Sequence, residues 1–170
     1  ENNFGTAVGV TTTGSDVILV DEGAIVLGES TVTGFYRVTA GGAVTQFSGT
    51  KLTITGVTTI NAGANAVTLE NTSNDFSKTV DGTLGGAVGI TGTAVSIIDT
   101  NDLVLGTTTT TGAYTVIAGG GIIDSGALTI GTTASFTAGD GKAIILDHVS
   151  ASSQPVHDFS GALTFAASSG

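Results

Sequence analysis

Two histidines, His148 and His157, lie near the C-terminal end with Ser150, Ser152, Ser153 and the single proline, Pro155, between them. Asp147 and Asp158 adjoin them, so the residue types of a Ser-His-Asp hydrolase are within reach of one another. A Ser nucleophile needs a strained elbow that presents its hydroxyl, and no Gly-x-Ser-x-Gly segment exists. The stretch reads instead as a polar loop carrying surface histidines. A zinc site built from His148, His157 and a carboxylate has no recognised ligand spacing behind it. The chain has no cysteine, which excludes thiolate metal sites and disulfides.

The other reactive types are dispersed. Asp16, Asp21, Asp75, Asp81, Asp99, Asp102, Asp124 and Asp140 sit singly at turn-like positions. A polysaccharide-cleaving groove needs clustered carboxylates with a cation, and Arg37, the only arginine, has Thr115 at its repeat-equivalent position. Asp140 in Gly139-Asp140-Gly141 and the pair Asn101-Asp102 are single candidate calcium ligands, in neither a nonapeptide calcium repeat nor an EF-hand loop. Asp and Asn at such positions are expected to cap the local backbone. Gly41-Gly42 and Gly119-Gly120-Gly121 follow no phosphate-loop pattern and read as corners needing positive φ. Thr11–Thr13 and Thr107–Thr111, with Thr31-Val32-Thr33 and Thr53-Ile54-Thr55, have the local form of a water-ordering Thr ladder. Their irregular recurrence reads as ordinary solvent-facing strand threonine. No catalytic, cofactor-binding or metal residue is therefore assigned, no cofactor is implied, and the chain is expected not to be an enzyme.

The elements that would position any site are β strands. Among 170 residues, Gly contributes 27 and Thr 31; only 5% of residues are aromatic. Gly and Thr disfavour helix, whereas Thr, Val and Ile suit strands. Leu52-Thr53-Ile54-Thr55 and Ala66-Val67-Thr68-Leu69 alternate with the period of a strand buried on one face. The formal net charge of −10, with four cations, excludes nucleic-acid binding and docking to an anionic membrane. No apolar run is long enough to cross a membrane as a helix, so no membrane insertion is expected. A chain that opens at Glu1 reads as a mature chain or an excised segment.

Internal similarity organises the whole. Thr33-Gly34-Phe35-Tyr36-Arg37-Val38 returns 78 residues on as Thr111-Gly112-Ala113-Tyr114-Thr115-Val116. Ala7-Val8-Gly9-Val10-Thr11 returns as Ala87-Val88-Gly89-Ile90-Thr91, Leu52-Thr53-Ile54 as Leu128-Thr129-Ile130, and Val67-Thr68-Leu69 as Ile144-Ile145-Leu146. Asn3-Phe4, Asp75-Phe76 and Asp158-Phe159 are related landmarks. One β-solenoid over residues 1–170 is expected, with repeats at approximately 1–73 and 74–156 and a partial third from 157. Apolar clusters about 15 to 18 residues apart suggest roughly nine coils, spanning on the order of 45 Å at ~4.8 Å per coil. A narrow interior is expected to favour small and β-branched residues over aromatics. The ladder pairs are Val38 with Val116, Leu52 with Leu128 and Leu69 with Leu146.

Ala40-Gly41-Gly42-Ala43-Val44-Thr45-Gln46, Ser125-Gly126-Ala127-Leu128-Thr129-Ile130 and Thr133-Ala134-Ser135-Phe136-Thr137-Ala138-Gly139 resemble the repeats of filamentous-haemagglutinin-like bacterial adhesins. Asn74-Asp75-Phe76-Ser77 is similar to a repeat start in large surface proteins of that kind. The resemblance implies a right-handed parallel β-helix, exported by two-partner secretion and displayed as a stalk. The expected role is a structural and adhesive segment of a secreted cell-surface filament. Its partners would be end-to-end copies of itself or neighbouring repeats of a longer chain, and a host or matrix surface. The alternative is a solenoid that binds ice or polysaccharide through a Thr-rich face.

Overall fold

In a computed structural model, which describes residues 2–77, 83, 85–149 and 156–167, the chain is an all-β parallel solenoid of about six turns with no helix among those residues. The first turn holds β1 (Val17–Asp21), β2 (Ile25–Leu27) and β3 (Ser30–Val32). The second holds β4 (Tyr36–Ala40), β5 (Val44–Gln46) and β6 (Leu52–Ile54). The third holds β7 (Thr58–Asn61), β8 (Val67–Leu69) and a bridge at Asp75. β9 (Val88–Gly92), β10 (Val95–Asp99) and β11 (Leu103–Leu105) form the fourth. β12 (Thr108–Thr110), β13 (Tyr114–Ala118) and β14 (Ile122–Asp124) form the fifth. β15 (Leu128–Ile130), β16 (Ala134–Ala138) and β17 (Ile144–Ile145) form the sixth, and β18 (Asp158–Phe159) and β19 (Leu163–Ala167) follow.

Each turn lays one strand in each of three columns. The middle strands make a seven-stranded parallel sheet, β19-β16-β13-β10-β8-β5-β2. The other two columns share the corner strand β9, which pairs with β7 below, with β11 through Leu105 and with β12 through Thr109. Successive strands of the middle column start at residues 25, 44, 67, 95, 114, 134 and 163. The turns are therefore of unequal length, and the two longest carry residues 70–94 and 139–162. Nine coils is thus an overcount, and about six turns span on the order of 29 Å. The apolar clusters at Val17–Val20, Leu52–Ile54 and Val67–Leu69 lie in three different columns, so their beat does not count turns.

The repeat and the turn are out of step. From β1 to its sequence equivalent β10 the chain lays down ten strand positions, the Asp75 bridge included, where three full turns would need nine. Each repeat thus finishes one column further round. Val38 and Val116 are both fully buried, as are Leu52 and Leu128, while Leu69 is buried and Leu146 partly so. All point inward as expected, but none shares a column with its partner: β4 leads to β7 and β9, and β13 joins β10 and β16.

Alternation of buried and exposed residues builds the interior, as in β1, where Val17, Leu19 and Asp21 face in and Ile18 and Val20 face out. The interior also accepts large rings, against expectation: Tyr36, Tyr114, Phe76 and Phe136 are its largest fully buried side chains. Phe136 makes edge-to-face contact with Tyr114 and Phe159 and stacks on Phe165. Three short sides per turn leave an axis wide enough for rings stacked turn on turn.

The corners explain the glycines. Gly41 and Gly119 do not have positive φ; among the described residues that conformation belongs to Gly14, Gly49, Gly63, Gly141 and Ser77. A Cβ on Gly41 would instead overlap the Glu22 carbonyl, and one on Gly119 the Thr100 carbonyl, of the turn beneath. The requirement is close backbone approach rather than left-handed geometry.

Leu128 and Thr129 are neighbours on opposite faces of β15, one fully buried and one exposed. Leu128→Asp places an unpaired carboxylate in the core and is expected to cost at least about 3 kcal/mol, whereas Thr129→Asp should stay within about 0.5 kcal/mol. Urea unfolding of both variants checks this, and equal midpoints would contradict the inward assignment.

Candidate functional site

Two buried carboxylates lock coil to coil. Asp21 ends β1, 2% exposed, and its two oxygens accept the amides of Phe4 at 2.7 Å and Gly23 at 2.7 Å. Asp99 ends β10, also 2% exposed, and accepts the amides of Phe76 at 2.6 Å and Asn101 at 2.8 Å. Asn3-Phe4 and Asp75-Phe76 are thus the segments that dock an amide onto the aspartate of the next coil. Burial pushes the Asp99 carboxyl up to about 7, against the pull of the Asn101 and Phe76 amides and with a further push from the Asp75 and Asp102 carboxylates.

A second pair of equivalents lies beneath the tyrosines. Ser30 Oγ accepts the Val10 amide and donates to the Gly28 carbonyl, as Thr108 Oγ1 does with Ile90 and Gly106. The Tyr36 and Tyr114 hydroxyls approach Ser30 and Thr108 without closing a hydrogen bond of good geometry. Burial pushes the Tyr36 phenol up to about 12 and moves Tyr114 the same way, so neither is poised for acid–base work.

The histidine segment is engaged in structure. His157 Nδ1 accepts the Leu128 amide at 3.2 Å, and Nε2 lies 3.2 Å from Asp124 Oδ2 without closing a hydrogen bond of good geometry. Asp124 accepts the amides of Asp147 and His148. With the Nδ1 lone pair taken by the Leu128 amide, the neutral ring carries its proton on Nε2 and has no lone pair free to activate a hydroxyl or bind zinc. Ser150, Ser152, Ser153 and Pro155, named with it in the hydrolase arrangement, lie outside the described residues, as does Asp81.

Asp16 and Asp102, expected to cap their local backbone, instead each accept an amide of the next turn. Asp16 accepts the Phe35 amide and Asp102 the Gly121 amide at 2.6 Å, while Asn101 donates to Asp75. No group of three or more His, Asp or Glu side chains able to hold a metal occurs among the described residues. Arg37 lies over the Phe35 ring, 5.5 Å from its centroid, and no carboxylate cluster lies beside it among the described residues.

What the sequence did not reveal is a surface. Along the outer face of the seven-stranded sheet, Thr45, Thr68, Ser96, Thr115, Ser135 and Thr164 stand in unbroken register. A parallel column runs beside them, Ala43, Ala66, Ala94, Ala113, Thr133 and Ala162, each lending its carbonyl to the strand before it. A shallow depression of about 150 Å³ lies between Ala66, Thr68, Ala94, Ser96, Ala113 and Thr115. At one end of the hydroxyl column an open groove of about 410 Å³ adds exposed Phe47, Ser48 and Glu70. The signal that could have found the column is Ala-Val-Thr in Ala43-Val44-Thr45 and Ala66-Val67-Thr68, with Ala94-Val95-Ser96 completing the series. A search for Thr-x-Thr passes over it, because the rungs belong to different turns.

A family model described as "Repeats of unknown function (DUF5649)" matches residues 14–83 and again 85–166. No curated protein and no solved structure matches the chain.

The Asp99 lock makes stability depend on pH. The folded chain holds a proton on Asp99 at pH values where the unfolded carboxyl, near its ordinary value of 3.8, has lost it. Its contribution is full below about pH 4 and is lost as pH rises to about 7. Asp99→Asn removes this titration, so urea unfolding across that range should show the difference between parent and variant moving in the variant's favour. A difference that stays constant with pH would contradict the assignment.

Proposed function

We propose, for a chain that belongs to the DUF5649 repeat family, that it is a structural segment of a secreted bacterial surface filament, a rod that carries adhesive elements away from the cell. The observation that carries this reading is the uninterrupted interior: β8 pairs with β10 across the boundary between repeats in the same register as strands within a repeat. The coils are taken to run right-handed, the sense that parallel crossover connections overwhelmingly adopt. The resemblance to filamentous-haemagglutinin-like adhesins supports export by two-partner secretion, extracellular location and contact with a host or matrix surface. A net charge of −10 supports a soluble rod that repels its neighbours sideways at low salt. The role is mechanical rather than enzymatic.

Pulling the chain from its two ends in a single-molecule force measurement tests this. The rod is expected to lengthen in discrete steps as turns peel away, each releasing the roughly 20 to 30 residues of one turn. A chain that extends smoothly, without steps, would remove the mechanical role.

The hydroxyl and alanine columns favour a second reading, a face that binds a regular lattice or extended chain, either ice or a polysaccharide. In-register rungs ~4.8 Å apart give a flat, repeating pattern of methyls and hydroxyls. Thr115→Lys puts a long charged side chain in the middle of this face. If the face binds, the parent chain should reshape growing ice crystals or be retained on a polysaccharide column, and the variant should lose that activity. A parent inactive in both assays would rule the second reading out.

A further inference from the structure

The two ends of the solenoid are built from equivalent segments. Residues 3–11 correspond to 75–91 and to 158–166 in landmark and strand: Asn3-Phe4 with Val8, Asp75-Phe76 with β9, and Asp158-Phe159 with β19. In mid-chain this segment has something on top of it. Val88 of β9 lies beside Leu105, Thr91 lies beside Thr109, and the Phe76 amide docks on Asp99. At the N-terminal end the same contacts recur one repeat earlier: Val8 beside Leu27, Thr11 beside Thr31, and the Phe4 amide on Asp21.

At the C-terminal end no such cover occurs among the described residues. Leu163 and Phe165 continue the inward columns of Ala134 and Phe136, yet are 40% and 53% exposed. Beside them an open groove of about 360 Å³ lies between Ile144, Phe165 and Ala167. The neighbouring top strand, β17, is equivalent to β8, on which β10 rests with Val67 beside Val95, Thr68 beside Ser96 and Leu69 beside Ile97. The equivalent of β10 is β1.

We propose that two copies of this chain join end to end by strand replacement: segment 158–167 of one copy takes the place of residues 3–11 on the first turn of the next. The inference deepens the filament reading and rests on it. Carrying the mid-chain junction over residue by residue sets β1 of the second copy on β17 of the first, with Val17 beside Ile144, Ile18 beside Ile145 and Leu19 beside Leu146. Leu27 of the second copy then covers Leu163, Thr31 lies beside Ala166, and Asp21 accepts the Phe159 amide in place of its own Phe4. Ile18 and Ile145, 57% and 45% exposed, are thereby brought together on the outer face. The displaced residues exchange one set of bonds for an equivalent set, so the gain comes from covering Leu163 and Phe165. Only a second copy, or a further repeat of the same kind, supplies β1, β2 and β3 in this order.

The cysteine-free chain allows a direct test in residues 1–170 as they stand. In one molecule β1 and β17 are about five strand spacings apart, on the order of 24 Å, far beyond disulfide reach. Ile18→Cys with Ile145→Cys should give a ladder of disulfide-linked multimers on oxidation. Val20→Cys with Ile145→Cys, two residues out of register, should give at least tenfold less. Val8→Pro removes the amide that donates to the Val26 carbonyl, loosens the strand to be displaced, and should increase the ladder. Equal ladders from both cysteine pairs, or monomers throughout even with Val8→Pro, would overturn the proposal. The second result would leave the rod reading intact, with neighbouring turns supplied covalently by a longer chain. Smooth extension under force would remove the rod reading itself.

Discussion

The structure depends on backbone ladders that hold each strand in parallel register directly over the strand one turn below. At a spacing of ~4.8 Å no side chain can stand between neighbouring backbones, so each inward residue must stack on the inward residue beneath it. This turns sequence into columns: Val17, Tyr36, Thr58 and Val88 form one, and Leu19, Val38, Ile60 and Ile90 another. The same closeness acts at the corners, where Gly56 lies against Gly34, and Gly86 against Gly56 and Val57, with no space for a Cβ between them. A parallel stack also needs polar groups at the strand ends to meet the amides that the ladder leaves over. Asp21 and Asp99 do this, and are buried because one amide partner of each, Phe4 or Phe76, belongs to the preceding coil.

Because the repeat spans ten strand positions and the turn three, a feature carried by every repeat appears a third of the way round the solenoid each time. Three repeats would bring it back to its starting side. A feature carried by every turn stays on one side instead, as the Thr and Ser column of the seven-stranded sheet does. A long array of such repeats therefore has both kinds of surface, one winding and one straight, and recognition of an extended partner belongs to the straight one.

Much of this was legible in the chain. The alternation in Leu52-Thr53-Ile54 and Val67-Thr68-Leu69 marked strands with one buried face, and the equivalence of Val38 with Val116 marked two inward positions. The column each occupies was not legible, because it depends on turn length, and turns stretch from 19 residues between Val17 and Tyr36 to 30 between Thr58 and Val88. The Asn3-Phe4 and Asp75-Phe76 landmarks were visible, but their work was not: the aspartate that holds each amide lies 17 or 23 residues further on. The buried tyrosines went unforeseen because interior width follows from three sides per turn, which composition does not encode. The hydroxyl column was hidden for the same reason as the turn count, since its members are neighbours only once the coil is closed.

The central claim is that the repeat steps round by one column, so that β10 stacks on β8 rather than on the column of β7 and β9. Paired cysteines measure this within one molecule. The account predicts that Thr68→Cys with Ser96→Cys closes an intramolecular disulfide readily, since those residues are register partners. It predicts that Thr59→Cys with Ser96→Cys does not, since Thr59 is paired with Gly89 in another column. Rapid closure of the second pair and not the first would mean that the repeat closes on whole turns, and would contradict the account.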